Sequence, residues 1–167
     1  MTDHLDVFLA EGMKRFKQAS ATMVAFEEAL QVRMRTILSD RAEVGWGSFV
    51  PNLNQATAKS SRYWKQYPGL SAWIPGTFRG ADLQIRIEIN WYSQESDSPL
   101  LYGWLDPFVE YRNEFARHEW SEGISKHENG ICIAPCEDDL DLERDYGLIL
   151  DELVHFLDSL SRPEVVT

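Results

Sequence analysis

Residues 83–92, Leu83-Gln84-Ile85-Arg86-Ile87-Glu88-Ile89-Asn90-Trp91-Tyr92, alternate apolar and polar side chains without a break. Because side chains in a strand point to opposite faces in turn, this stretch reads as a strand with one apolar and one polar face. That is the pattern of an antiparallel sheet solvated on one side. A loop over 93–99 and a second apolar run at Leu100-Leu105 make the pair a hairpin, 83–92 with 100–105.

The flanking sequence supplies helices. Upstream, Leu9, Phe16, Met23, Leu30 and Ile37 recur every seven residues, and Met13, Phe26 and Met34 fill the same face. The spacing predicts one long amphipathic helix over about 4–39, with Gly45 and Gly47 beyond it. Ser20 and Glu27 interrupt the second seam position, so the helix is expected to line the core and also to be capable of pairing two copies. Downstream, Leu142, Ile149 and Phe156 form one row and Tyr146, Leu153 and Leu160 another, predicting a closing helix over 139–160 stopped by Pro163. Between hairpin and closing helix, Asp106-Pro107 has the form of an N-cap followed by proline at the first helical position, predicting a helix over 107–117 that buries Phe108, Phe115 and Tyr111 or Arg112.

The remainder of the centre, 46–134, reads as β-rich. Short strands are expected at Trp46-Val50, Leu70-Ile74 and Ile131-Ala134, and the polar stretch Ala56-Tyr67 as a short helix or ordered loop. The order of elements implies a single α+β domain over 1–167, with the two long helices packed on a central antiparallel sheet.

Composition narrows the function classes. The chain has 167 residues, 44% hydrophobic and 26% charged, which suits one globular domain. Its net charge of −11 disfavours a footprint on nucleic acid or anionic lipid. Only Cys132 and Cys136 are present, which is no secreted disulfide framework. The N-terminus lacks the charge order of a secretory signal, and no apolar run approaches the roughly 20 residues needed to cross a bilayer. A cytoplasmic protein is expected.

The charge is unevenly placed. Up to Lys65 there are 9 Lys/Arg against 7 Asp/Glu, a balance of +2; from Gln66 onward there are 7 against 20, a balance of −13. The acids crowd at Glu137, Asp138, Asp139, Asp141, Glu143 and Asp145, where Arg144 is the only cation. Carboxylates in a first helical turn complement the macrodipole. This many like charges also repel, unless something positive meets them.

The motifs for chemistry are thin. An EF-hand register beginning at Asp141 with Glu143, Asp145 and Glu152 fails because Tyr146 stands where glycine is required. His118, His127, Cys132 and Cys136 are all capable zinc ligands within nineteen residues, but without paired CxxC knuckles. Those cysteines with His118, His127 or His155 also allow a cysteine–histidine pair, although His155 beside Phe156 reads as bordering a core. Asp82 and Glu88 on the polar strand face could hold a divalent cation, as in a metal-dependent hydrolase, with Arg86 as the nearest cation. Phosphate-binding loops and nucleophile elbows are absent from the sequence. Neither a cofactor nor a metal is expected.

Of the tryptophans, Trp91 and Trp104 are expected in the sheet core, and Trp64, among charged residues with Tyr63 and Tyr67, is expected to be exposed as an anchor for a partner. The leading expectation is therefore a non-enzymatic, acidic protein-binding module. It would neutralise a basic protein by occlusion, in the manner of an immunity protein, antitoxin or nuclease inhibitor, through Glu137, Asp138, Asp139, Asp141, Glu143, Asp145 and Trp64. Replacing Asp139, Asp141, Glu143 and Asp145 by Asn or Gln should then abolish binding and leave folding intact. The alternative is an adaptor domain that forms a homodimer through the N-terminal helix.

Overall fold

The computed structural model describes residues 4–60, 69–90, 100–133 and 141–161. The decisive stretch forms β4 (Ala81–Asn90), which pairs antiparallel with β5 (Leu100–Asp106) and, on its other side, with β3 (Gly69–Phe78). Outside these lie β1 (Phe49–Pro51) and β2 (Thr57–Ser60), both on β3, and β7 (Gly130–Ile133) on β5 with β6 (Ser125–His127) beyond it. The result is a seven-stranded antiparallel sheet in the order β1-β3-β4-β5-β7-β6, with β2 sharing the β1 side of β3.

The alternation in β4 does what its spacing predicts. Leu83, Ile85, Ile87 and Ile89 are buried, joined across the sheet by Ala72, Ile74, Leu101, Leu105 and Ile131. Two helices cover this apolar face: α1 (His4–Val44) and α3 (Leu142–Ser161). From α3, Tyr146, Ile149, Leu153 and Phe156 of the two predicted rows are buried, joined by Leu150, Val154 and Leu157 from outside them, while Leu160 is half-buried. Gly103 of β5 lies beneath α3, where a Cβ would collide with Ile149 and Leu153. The described elements share one hydrophobic core, an α+β domain with both long helices on an antiparallel sheet.

Several expectations are corrected. Helix α1 runs to Val44 and not 39, because Arg41 in its last turn is ion-paired with Asp151 of α3, and Gly45, with a φ of 95°, supplies the left-handed C-cap. The expected apolar stripe of α1 is buried only from Leu30, with Met34, Ile37 and Leu38; Leu9, Met13, Phe16 and Phe26 are exposed. The helix expected from Pro107 starts later. Asp106 is still paired with Gln84 in the sheet and precedes a cis Asp106–Pro107 peptide. A 3-10 turn over Val109–Tyr111 then leads into α2 (Arg112–Arg117), which buries Phe115.

Part of the stretch from Ala56 is strand β2 and not helix. Its edge is closed by α1, where Gln31 donates to the Ala58 carbonyl at 3.1 Å and Glu27 accepts from the Ser60 amide. Strand β3 continues through Pro75 to Phe78 because Pro75 lies between β1 and β2. Its carbonyl accepts from the Asn52 amide at 2.7 Å there, so the missing N–H interrupts no β4 pairing. Strand β6 was not foreseen. Trp91 lies outside the described residues.

Candidate functional site

The polar face of β4 carries Gln84, Arg86, Glu88 and Asn90. Among the described residues, both long helices lie on the opposite face. Neighbouring strands bring Trp73 (opposite Arg86), Tyr102 (opposite Glu88), Trp104 (opposite Arg86), Cys132 (opposite Tyr102) and His127 to the same face. Period-two geometry fixes this, since β5 places Leu101 and Leu105 in the core and therefore Tyr102 and Trp104 on the other side. Trp104 is accordingly part-exposed on the polar face and not in the core where the sequence placed it.

Two regions of this face differ in charge. At one, the Arg86 guanidinium stacks over Trp73 at 4.6 Å and is ion-paired with Asp106, while the Lys59 ammonium approaches the same indole at 5.6 Å. At the other, Glu88, Tyr102, Trp104, His127 and Glu128 line a cleft of ≈ 490 Å³. Its far wall is the β6–β7 turn, where Glu128 has a φ of 43°. The rings of Tyr102 and His127 meet edge to face at 4.8 Å. Asn90, fully buried, donates from Nδ2 to Glu88 Oε1 at 3.2 Å. Burial pushes the Glu88 carboxyl above the usual glutamate range, opposed by hydrogen bonds from Asn90 and Ser71 and by the charge of Arg86. A partly desolvated carboxylate between aromatic rings gains by pairing with a cation.

Within the acidic segment, the described residues Asp141, Glu143 and Asp145 have partners in the chain. Asp141 is the N-cap of α3: its Oδ1 accepts from the Arg144 amide at 3.1 Å, and its carbonyl accepts from the Asp145 amide at 2.8 Å. Asp145 reaches back to accept from the Asp141 amide at 3.2 Å, and also from Arg144 Nε at 2.8 Å; it is only 4% exposed. Glu143 is ion-paired with Arg33 of α1. Arg33 and Arg144 thus supply positive charge to Glu143 and Asp145. Asn at 141 would keep the capping oxygen, whereas Asn at 145 would give up one of the two oxygens that accept from Arg144 and from the Asp141 amide. Glu137, Asp138, Asp139 and Trp64 lie outside the described residues.

Of the zinc set, Cys132 and His127 share the polar face and His118 does not. His118 packs edge-on against Phe156 and Trp120 on the helix side, where burial lowers its pKa, whereas Cys132 is on the polar face. Burial also holds the Cys132 thiol above its usual value. Cys136 lies outside the described residues. Asp82 and Glu88 are six strand residues apart, about 20 Å at the rise of a β-strand, too far to share one ion. Glu152 is buried and accepts from the Ser121 amide and hydroxyl. Among the described residues, no group of three or more His, Cys, Asp or Glu side chains could hold a metal, and no helix is long and apolar enough to cross a membrane.

The sequence reading weighed Glu88 only as a metal ligand and His127 only as a zinc or catalytic candidate. Tyr102 and Glu128 escaped it, because nothing in their local spacing links β4, β5 and the β6–β7 turn. Comparison with family models, characterised proteins and solved structures finds no match for the chain.

Proposed function

We propose that the protein is a non-catalytic binding module that neutralises a basic protein partner, as immunity proteins, antitoxins and nuclease inhibitors do, by occluding its basic surface. The single observation that carries the reading is the cleft. It sets two carboxylates, Glu88 and Glu128, among the rings of Tyr102, Trp104 and His127 in a chain of net charge −11. A Lys or Arg side chain entering there would meet aromatic faces and carboxylates together, the combination that favours a desolvated cation. Exposed acids elsewhere would steer the partner in over longer range. In this reading the contact surface is the polar sheet face, with Asp141 and Asp145 serving the helix cap. The carboxylates of the acidic segment preceding α3 would contribute to steering.

The test is capture of partners from the native host's lysate on the tagged protein at low salt, with elution towards about 0.5 M, where the Debye length falls below roughly 5 Å. A stoichiometric basic protein retained by the wild type and lost by Glu88→Gln/Glu128→Gln supports the reading. Equal retention by that variant removes the cleft from the contact surface. Capture should weaken as pH falls through the raised Glu88 value, because the neutral carboxyl no longer attracts a cation.

A further inference from the structure

Helix α1 is used in two different ways along its length. From Glu27 onward it belongs to the fold: Glu27 and Gln31 bond to β2, and Leu30, Met34, Ile37 and Leu38 are buried. Before Glu27 the apolar face turns to solvent, except at half-buried Met23. Phe8 is 71% exposed, Leu9 53%, Met13 67% and Phe26 54%. The segment from His4 to Phe26 is about 35 Å long at 1.5 Å per residue. A helix of this length is marginal alone in water, and Gly12, Ser20 and Thr22 weaken it further. Helices in proteins are held chiefly by packing of their apolar face.

We infer that this half of α1 is a self-association surface, whose apolar row is covered by α1 of a second copy. Three observations favour that occupant. First, the row Leu9, Phe16, Met23, Leu30, Ile37 keeps a period of seven, one of the two seam rows of paired helices, while Ser20 and Glu27 interrupt the other. Its lower end is already packed inside the fold, and its upper end keeps the same phase.

Second, the surface is complementary to itself when two copies run antiparallel about Lys14. Leu9 of one copy then meets Ala19 of the other, Leu5 meets Met23, and Phe16 meets Gly12, where a Cβ would find open space. Leu9 and Phe16 thus face the small residues Ala19 and Gly12, as interdigitated layers require. In this alignment His4 ends opposite Val24, before the body of the fold begins at Glu27.

Third, Phe8, Leu9 and Met13 all fall within this overlap and are each more than half exposed, so pairing would remove apolar surface of both copies from water.

The experiment is analytical ultracentrifugation of the full chain over a wide concentration range, at low salt and at about 0.5 M, where charge contacts are screened. The expected result is a dimer that salt does not weaken, together with a monomeric Leu9→Glu/Met13→Glu variant whose near-ultraviolet spectrum and core melting match the wild type. These two positions are exposed, so their substitution leaves the core packing alone. In a background lacking both native cysteines, Leu9→Cys/Ala19→Cys should form an intermolecular disulfide. A wild type that stays monomeric overturns the inference, whether or not it sediments with vesicles or other proteins. So does a dimer indifferent to the glutamates. A dimer that never cross-links overturns the antiparallel alignment.

Discussion

Arg33 of α1 is ion-paired with Glu143 in the first turn of α3, 110 residues further along the chain. The contact joins α1, with six Lys/Arg and six Asp/Glu, to the acidic α3, and Arg41 repeats it two turns later with Asp151. The two helices cover the same sheet face side by side, so the charge asymmetry between the halves of the chain is in part an internal complementarity.

The worth of that contact is nevertheless small. Both side chains are about half exposed, and such pairs contribute roughly 0.2–1 kcal/mol. A double-mutant cycle on Arg33→Ala and Glu143→Ala, read by urea denaturation, should give a coupling in that range that shrinks with salt. A coupling of about 3 kcal/mol or more would place the pair among buried ones and contradict its exposure.

Gly103 lies directly beneath α3, with Ile149 and Leu153 above it. A Cβ there would run into Ile149, so Gly103→Val is expected to push the helix outward and destabilise the fold by about 1–3 kcal/mol, as overpacking does. The urea midpoint is the readout. An unchanged midpoint would mean that α3 is not seated on β5.

Glu88 gives the fold a pH dependence of definite sign. Burial raises its carboxyl value, so the folded chain binds the proton more tightly than the unfolded chain does. Stability from this group is fully present below the ordinary glutamate value and is lost as pH rises through the raised one. Glu88→Gln removes that loss and keeps an acceptor for Asn90. The variant's melting temperature relative to wild type should therefore climb as pH rises above the ordinary glutamate value. A difference that stays constant with pH would show that Glu88 is ordinarily solvated.

The distinction between what could be read in advance and what could not follows the range of the interactions. The alternation Leu83–Ile89 and the rows Ile149–Phe156 and Tyr146–Leu153 were legible because strand and helix periodicity are local, and each dictates which face is buried. They determined the α+β class and the antiparallel hairpin of β4 with β5. The cleft was not legible, because Glu88, Tyr102, His127 and Glu128 come together only through pairing register across β4, β5, β7 and β6. The same holds for the acids at Asp141 and Asp145. Their sequence says only that like charges are crowded, and the cap that uses them exists once α3 has begun. Most of all, the period of seven in α1 marks an apolar row, yet period alone cannot say what covers it. The sequence by itself determined that the row runs the whole helix. Only the tertiary structure decided that the sheet ends beneath Leu30, because seven strands present a finite apolar face and α1 is longer than that face.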